Sequence, residues 1–138
     1  MSEVDWLKKA RSFIGGAKNI LENRNVTEID MGHSVGLLAW QGVENSLKAV
    51  CVGHNHPISH DLSQIINHIR SNNLMDRSEL SEITRAAAIV TGSSTYNDTR
   101  YPEKAIDWWN RMPYYKLSEV VTASQIIFKI CQRKTQAQ

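Results

Sequence analysis

A chain of 138 residues with 41% hydrophobic residues is sized for one domain around one core, here 1–138. A net charge of +2 and a pI near 8.6 exclude a molecule that binds polyanions over its whole surface, so any nucleotide or nucleic-acid site must come from a local cluster of charge. No apolar run reaches the ~20 residues that cross a bilayer, the N-terminus shows no basic-then-apolar leader, and Cys51 and Cys131 lack the spacing of a zinc site or disulfide framework; a cytoplasmic protein without cofactor or metal is expected.

The first helix is expected over about 5–23, with Trp6, Ala10, Phe13, Ala17, Ile20 and Leu21 recurring at helical spacing. Gly15-Gly16 is its weak point, costing roughly 1 kcal/mol per glycine against alanine, and suggests a kink or a close helix contact. A second helix, from Glu28 or Met31 to Val52, carries a continuous stripe of Val35, Leu38, Ala39, Gly42, Val43, Ser46, Leu47 and Val50. Its small members would let another helix come close, and its length and apolarity place it centrally. After a break at 53–57, Ser59 or Asp61 caps a third helix through Leu62, Ile65, Ile66 and Ile69. A fourth starts near Asp76 or Ser78 and turns Leu80, Ile83, Thr84, Ala87 and Val90 inward. A short helix is expected over 103–112. The last helix is expected from Ser118, with Val120, Ala123, Ser124, Ile127, Ile130 and Cys131 on its inner face and Lys129, Arg133 and Lys134 toward the end that its dipole favours for cations. No segment alternates like a strand. The fold class is therefore all-α, an up-and-down bundle of four main helices plus short extra ones.

Residues 95–104 interrupt this helical pattern. Asn97 and Asp98 favour a turn and Pro102 disfavours helix at Tyr101, so the stretch is a loop that presents Tyr96, Arg100, Tyr101 and Lys104. A guanidinium grips a phosphate through two donors, a tyrosine ring stacks a base, and a lysine adds a point charge. The plainer alternative pairs Arg100 with Glu44 or Asp61 and packs the tyrosines on the bundle. On the second helix Gln41, Glu44 and Lys48 form a polar row, which either lines a cleft or is a solvated face or dimer contact. His54, His56 and His60 have a spacing that could ligate zinc, but no cysteine completes the set, and a loop followed by a capping histidine is the favoured reading. Trp108, Trp109, Met112, Tyr114 and Tyr115 form an aromatic patch suited to a partner surface or to covering the end of the bundle.

Several of these motifs, in this order, are similar to a known family. Trp40-Gln41-Gly42-Val43-Glu44-Asn45-Ser46-Leu47-Lys48-Ala49 resembles the second-helix signature of the HEPN domain, the higher eukaryotes and prokaryotes nucleotide-binding domain. His60-Asp61-Leu62 resembles its His-Asp-Leu at the third helix, Thr99-Arg100-Tyr101-Pro102 its Thr-Arg-Tyr-Pro loop, and the helix with Ala123 and Ile127 its closing helix. The resemblance implies a dimeric bundle of four or five helices, often acting with a minimal nucleotidyltransferase as a toxin–antitoxin pair. It implies binding of a nucleotide or an RNA phosphate, with Arg100, Tyr101 and Lys104 as one wall and Tyr96, Glu44 and Lys48 near it. Many members are instead metal-independent ribonucleases with an Arg-x(4–6)-His motif. Here Ala105 and Ile106 stand five and six residues after Arg100, and no histidine follows His68. RNA cleavage without metal needs groups that take and return a proton, which arginine does not supply. The expectation therefore leans against an enzyme, with a ribonuclease toxin or a non-catalytic protein-interaction module as alternatives. His60 is a histidine from elsewhere in the chain that could take the missing place.

Overall fold

A computed structural model of the chain describes residues 1–23, 31–55, 59–92, 112 and 114–136. Among them are five helices and no strand: α1 (Glu3–Glu22), α2 (Met31–Cys51), α3 (Leu62–Ser71), α4 (Arg77–Thr91) and α5 (Tyr114–Gln136). No helix among the described residues is long and apolar enough to cross a membrane.

The helix starts follow from local chemistry. At α1 the Ser2 hydroxyl accepts from the Asp5 N–H at 3.2 Å while the Ser2 N–H donates to the Asp5 carboxylate at 3.1 Å. The same reciprocal box opens α4, where Glu79 N–H donates to Asp76 at 2.8 Å and Asp76 N–H to Glu79 at 3.1 Å. Asp61 caps α3 through Ser63 N–H at 2.9 Å. The α3–α4 connection is short because Asn73 adopts a left-handed φ of 53°, letting the Leu74 N–H reach back to the Ile69 carbonyl at 3.1 Å and the Asn73 N–H to the Arg70 carbonyl at 3.2 Å.

α2 is the central helix and touches all four others. Val35, Ala39, Val43 and Leu47 are fully buried along it, and Ile65, Ile69, Ile83, Ile127 and Ile130 close over them from α3, α4 and α5. Each of these valine, leucine and isoleucine side chains contributes roughly 1.5–3 kcal/mol by leaving water. The longest shared boundary is between α1 and α2. Gly42 makes it possible: a Cβ there would collide with the Ile14 side chain and stand 3.4 Å from the Ala10 carbonyl oxygen.

Three sequence expectations shift. The inner face of α1 is Leu7, Ala10, Ile14, Ala17 and Leu21, not the neighbouring stripe through Trp6, Phe13 and Ile20, which are half-buried. Both stripes have helical spacing, and the contact of Ile14 with Gly42 selects between them. On α4, Thr84 faces outward and Ala86 takes an inner position. α5 begins at Tyr114, one turn before Ser118, because Leu117 (1% exposed) belongs to the same buried stripe as Val120, Val121 and Ser124. Tyr114 and Tyr115 therefore open α5 and are exposed. α1 runs through Gly15-Gly16 as one helix.

Candidate functional site

Trp40, Glu44 and Lys48 stand one helical turn apart on α2 and share one face. Trp40 is buried, and its indole N–H donates to the backbone carbonyl of His60 at 3.3 Å. That bond holds the segment ahead of α3 against α2. One turn further along, the His60 ring meets Glu44, with Nδ1 3.1 Å from Oε2. The same oxygen accepts from Lys48 Nζ at 3.0 Å. A carboxylate only accepts, so the proton on this side of the imidazole is assigned to Nδ1.

The cluster is an internal one. The side chains of Glu44 and Lys48 are 9% and 7% exposed, whereas His60 is 51% exposed and forms its solvent-facing side. Trp6 of α1 covers the lysine, whose Nζ lies 5.6 Å from the ring centroid; Lys9 Nζ lies 5.5 Å from the same ring. A cation over an indole face gains roughly 2 kcal/mol where water is excluded. The reading of Glu44 and Lys48 as a solvated face is thus corrected: α1 and the segment before α3 bury them within one chain. Gln41, one turn before Asn45, is half-buried and supplies its carbonyl to the Asn45 side-chain amide at 2.6 Å.

Of the six residues expected to bind phosphate, Glu44 and Lys48 are therefore brought together with each other and with His60. Tyr96, Arg100, Tyr101 and Lys104 lie outside the described residues, as do Trp108, Trp109 and the short helix expected over 103–112. Met112 packs half-buried against the core. The expected zinc alternative draws no support from the described histidines. His68 Nε2 bonds the His54 backbone carbonyl at 2.7 Å, His60 engages Glu44, and His56 is outside the described residues. Among the described residues no three His, Cys, Asp or Glu side chains are grouped to hold a metal.

The two thiols are not poised as nucleophiles. Burial pushes the Cys51 thiol up to about 11, partly offset by the nearby Lys48 charge, and burial pushes Cys131 up further. The thiolate is the reactive form, so both groups behave as small apolar side chains. Sequence reasoning missed Trp6 and Trp40 as parts of the site. For Trp40 a signal was present, since it precedes Glu44 by one turn. For Trp6 none was, because its neighbour Lys48 is 42 residues away.

No family model matches the chain, and neither a curated protein nor a solved structure matches it. A functional reading therefore rests on the residues and their geometry.

Proposed function

We propose that this protein is a HEPN-type helical module that binds the phosphate of a nucleotide or an RNA. In this reading Arg100, Tyr101 and Lys104 form one wall of the site with Tyr96 beside them, and Glu44 and Lys48 form its buried support. The observation that carries the reading is a contact between two of the motifs on which the resemblance rests. The glutamate of the α2 signature and the histidine of His60-Asp61-Leu62 are 16 residues apart and meet at 3.1 Å. Motifs that share a structural role should converge in space, and these do. The proposal extends to a homodimer and to a minimal nucleotidyltransferase as partner in a toxin–antitoxin type system.

Titrating ATP, GTP and a short RNA against the wild type and Arg100→Ala tests the site. The expected result is saturable binding of at least one ligand, weakened tenfold or more by the substitution. Absence of binding by the wild type to all three sinks the assignment. The His60–Glu44 contact also favours the ribonuclease alternative, because a carboxylate that orients an imidazole is a recurring general-base arrangement. Incubation with total RNA in EDTA separates the two: cleavage abolished by His60→Ala supports the enzyme, and intact RNA at high protein concentration excludes it.

A further inference from the structure

A second positively charged feature lies away from the Glu44 cluster. Arg77, Ser81, Thr84, Arg85 and Ala88 recur at steps of three and four along α4 and form one outward face. The left-handed turn at Asn73 brings the last turn of α3 alongside this face and adds Arg70. Together they line a groove of about 840 Å³. Among the described residues three guanidiniums contribute to its wall and no carboxylate does.

Among the described residues none of the three arginines has a carboxylate within salt-bridge distance; Arg70 Nη1 bonds only a neutral group, the Asn67 side-chain oxygen at 2.7 Å. Of the nearby acids, Asp76 and Glu79 form the capping box and Glu79 also meets Lys134 at 3.5 Å, while Glu82 and Glu119 line a second groove with Arg85 on the α5 side of α4 without coming within ion-pair distance of it. Three unpaired like charges around one concavity repel each other and are relieved by an anion. Arg77 and Arg85 are eight residues apart, about 12 Å along the helix axis, which is more than one phosphate spans. The groove floor adds apolar surface from Met75 and Leu80, next to the Ser81 hydroxyl and the Asn73 amide. A single inorganic anion has no use for that floor, whereas a nucleotide strand places bases on it while its backbone follows the arginines.

We infer that this groove binds the phosphate chain of single-stranded RNA, through Arg70, Arg77 and Arg85. None of the residues belongs to the Glu44–Lys48–His60 cluster or to the Arg100 loop, so the inference stands apart from the proposed nucleotide site. The test is anisotropy titration of a fluorescein-labelled oligouridylate across a salt series. It compares the wild type, R70A/R77A/R85A and R70K/R77K/R85K, with circular dichroism confirming equal helicity. The alanine variant should bind at least tenfold more weakly. Its plot of log affinity against log salt should be shallower by about 2, since each phosphate contact on a single strand contributes roughly 0.7. The lysine variant should keep most of that slope. ATP binding by the alanine variant should stay at the wild-type level, which separates this groove from the Arg100 site. Equal affinity and slope for wild type and alanine variant overturn the inference, as does no RNA binding by the wild type. Displacement of the RNA by inorganic tripolyphosphate at equal concentration would show that the ligand is a free oligophosphate and would overturn the assignment to RNA.

Discussion

Replacing Glu44 by alanine removes the carboxylate that holds both Lys48 and His60. What remains is an ammonium whose side chain is 7% exposed, under the Trp6 ring, with its countercharge gone. Breaking a buried pair from one side costs about 3–5 kcal/mol, because the orphaned charge keeps its desolvation penalty. The half-exposed imidazole lets some water reach the cavity, so the lower end applies, about 3 kcal/mol. For a domain of this size that lowers Tm by roughly 10 °C. Removing both charges with Glu44→Leu and Lys48→Met leaves an apolar site of similar volume and should fall within about 1 kcal/mol of the wild type. Urea denaturation followed by circular dichroism, on Glu44→Leu, Lys48→Met and the double variant, gives the coupling energy directly. The reasoning fails if each single variant loses less than about 1 kcal/mol and the losses add, which is the behaviour of a solvated surface pair.

Four further outcomes follow from the packing and the caps. Gly42→Ala drives a methyl group into Ile14 at the α1–α2 crossing and should cost about 1–3 kcal/mol; Gly15→Ala, with open space at its Cβ, should instead gain up to about 1 kcal/mol, both read as shifts in the urea midpoint. Asp76→Ala removes the cap of α4 and should cost about 1 kcal/mol in the same assay. The Cys51 thiol is raised in the fold from 9.0 to about 11, so its contribution to stability is complete below pH 9 and is lost as pH rises toward 11. Native protein should accordingly react slowly with a thiol reagent at pH 8, and in urea both cysteines should react at once; rapid labelling of the folded protein would refute the burial.

Much of the fold is legible from the chain because helices declare themselves locally. The spacing of Val35, Ala39, Val43 and Leu47 and the caps at Asp61 and Asp76 depend on neighbours within a few residues. Where two stripes share the same period, as on α1, local spacing cannot choose between them. The choice comes from Gly42, which admits Ile14 and so rotates the helix. Spacing alone sets the start of α5 too late for a related reason: the pair Tyr114 and Tyr115 is exposed, and only the packing of Leu117 in the core joins it to the helix.

The candidate site divides in the same way. The i, i+4 relation of Glu44 and Lys48 is contained in the sequence, and so is the run of Arg77, Ser81 and Arg85 down one side of α4. Tertiary structure decided what those patterns mean. Trp6 and His60 reach Glu44 and Lys48 from distant parts of the chain and turn an ordinary surface pair into a buried, oriented cluster. The turn at Asn73 sets Arg70 beside α4 and turns one helix face into a groove of positive charge. Periodicity specifies which residues share a face, because it acts within a single helix. Burial and convergence depend on which faces meet, and that is settled by packing between residues far apart in sequence.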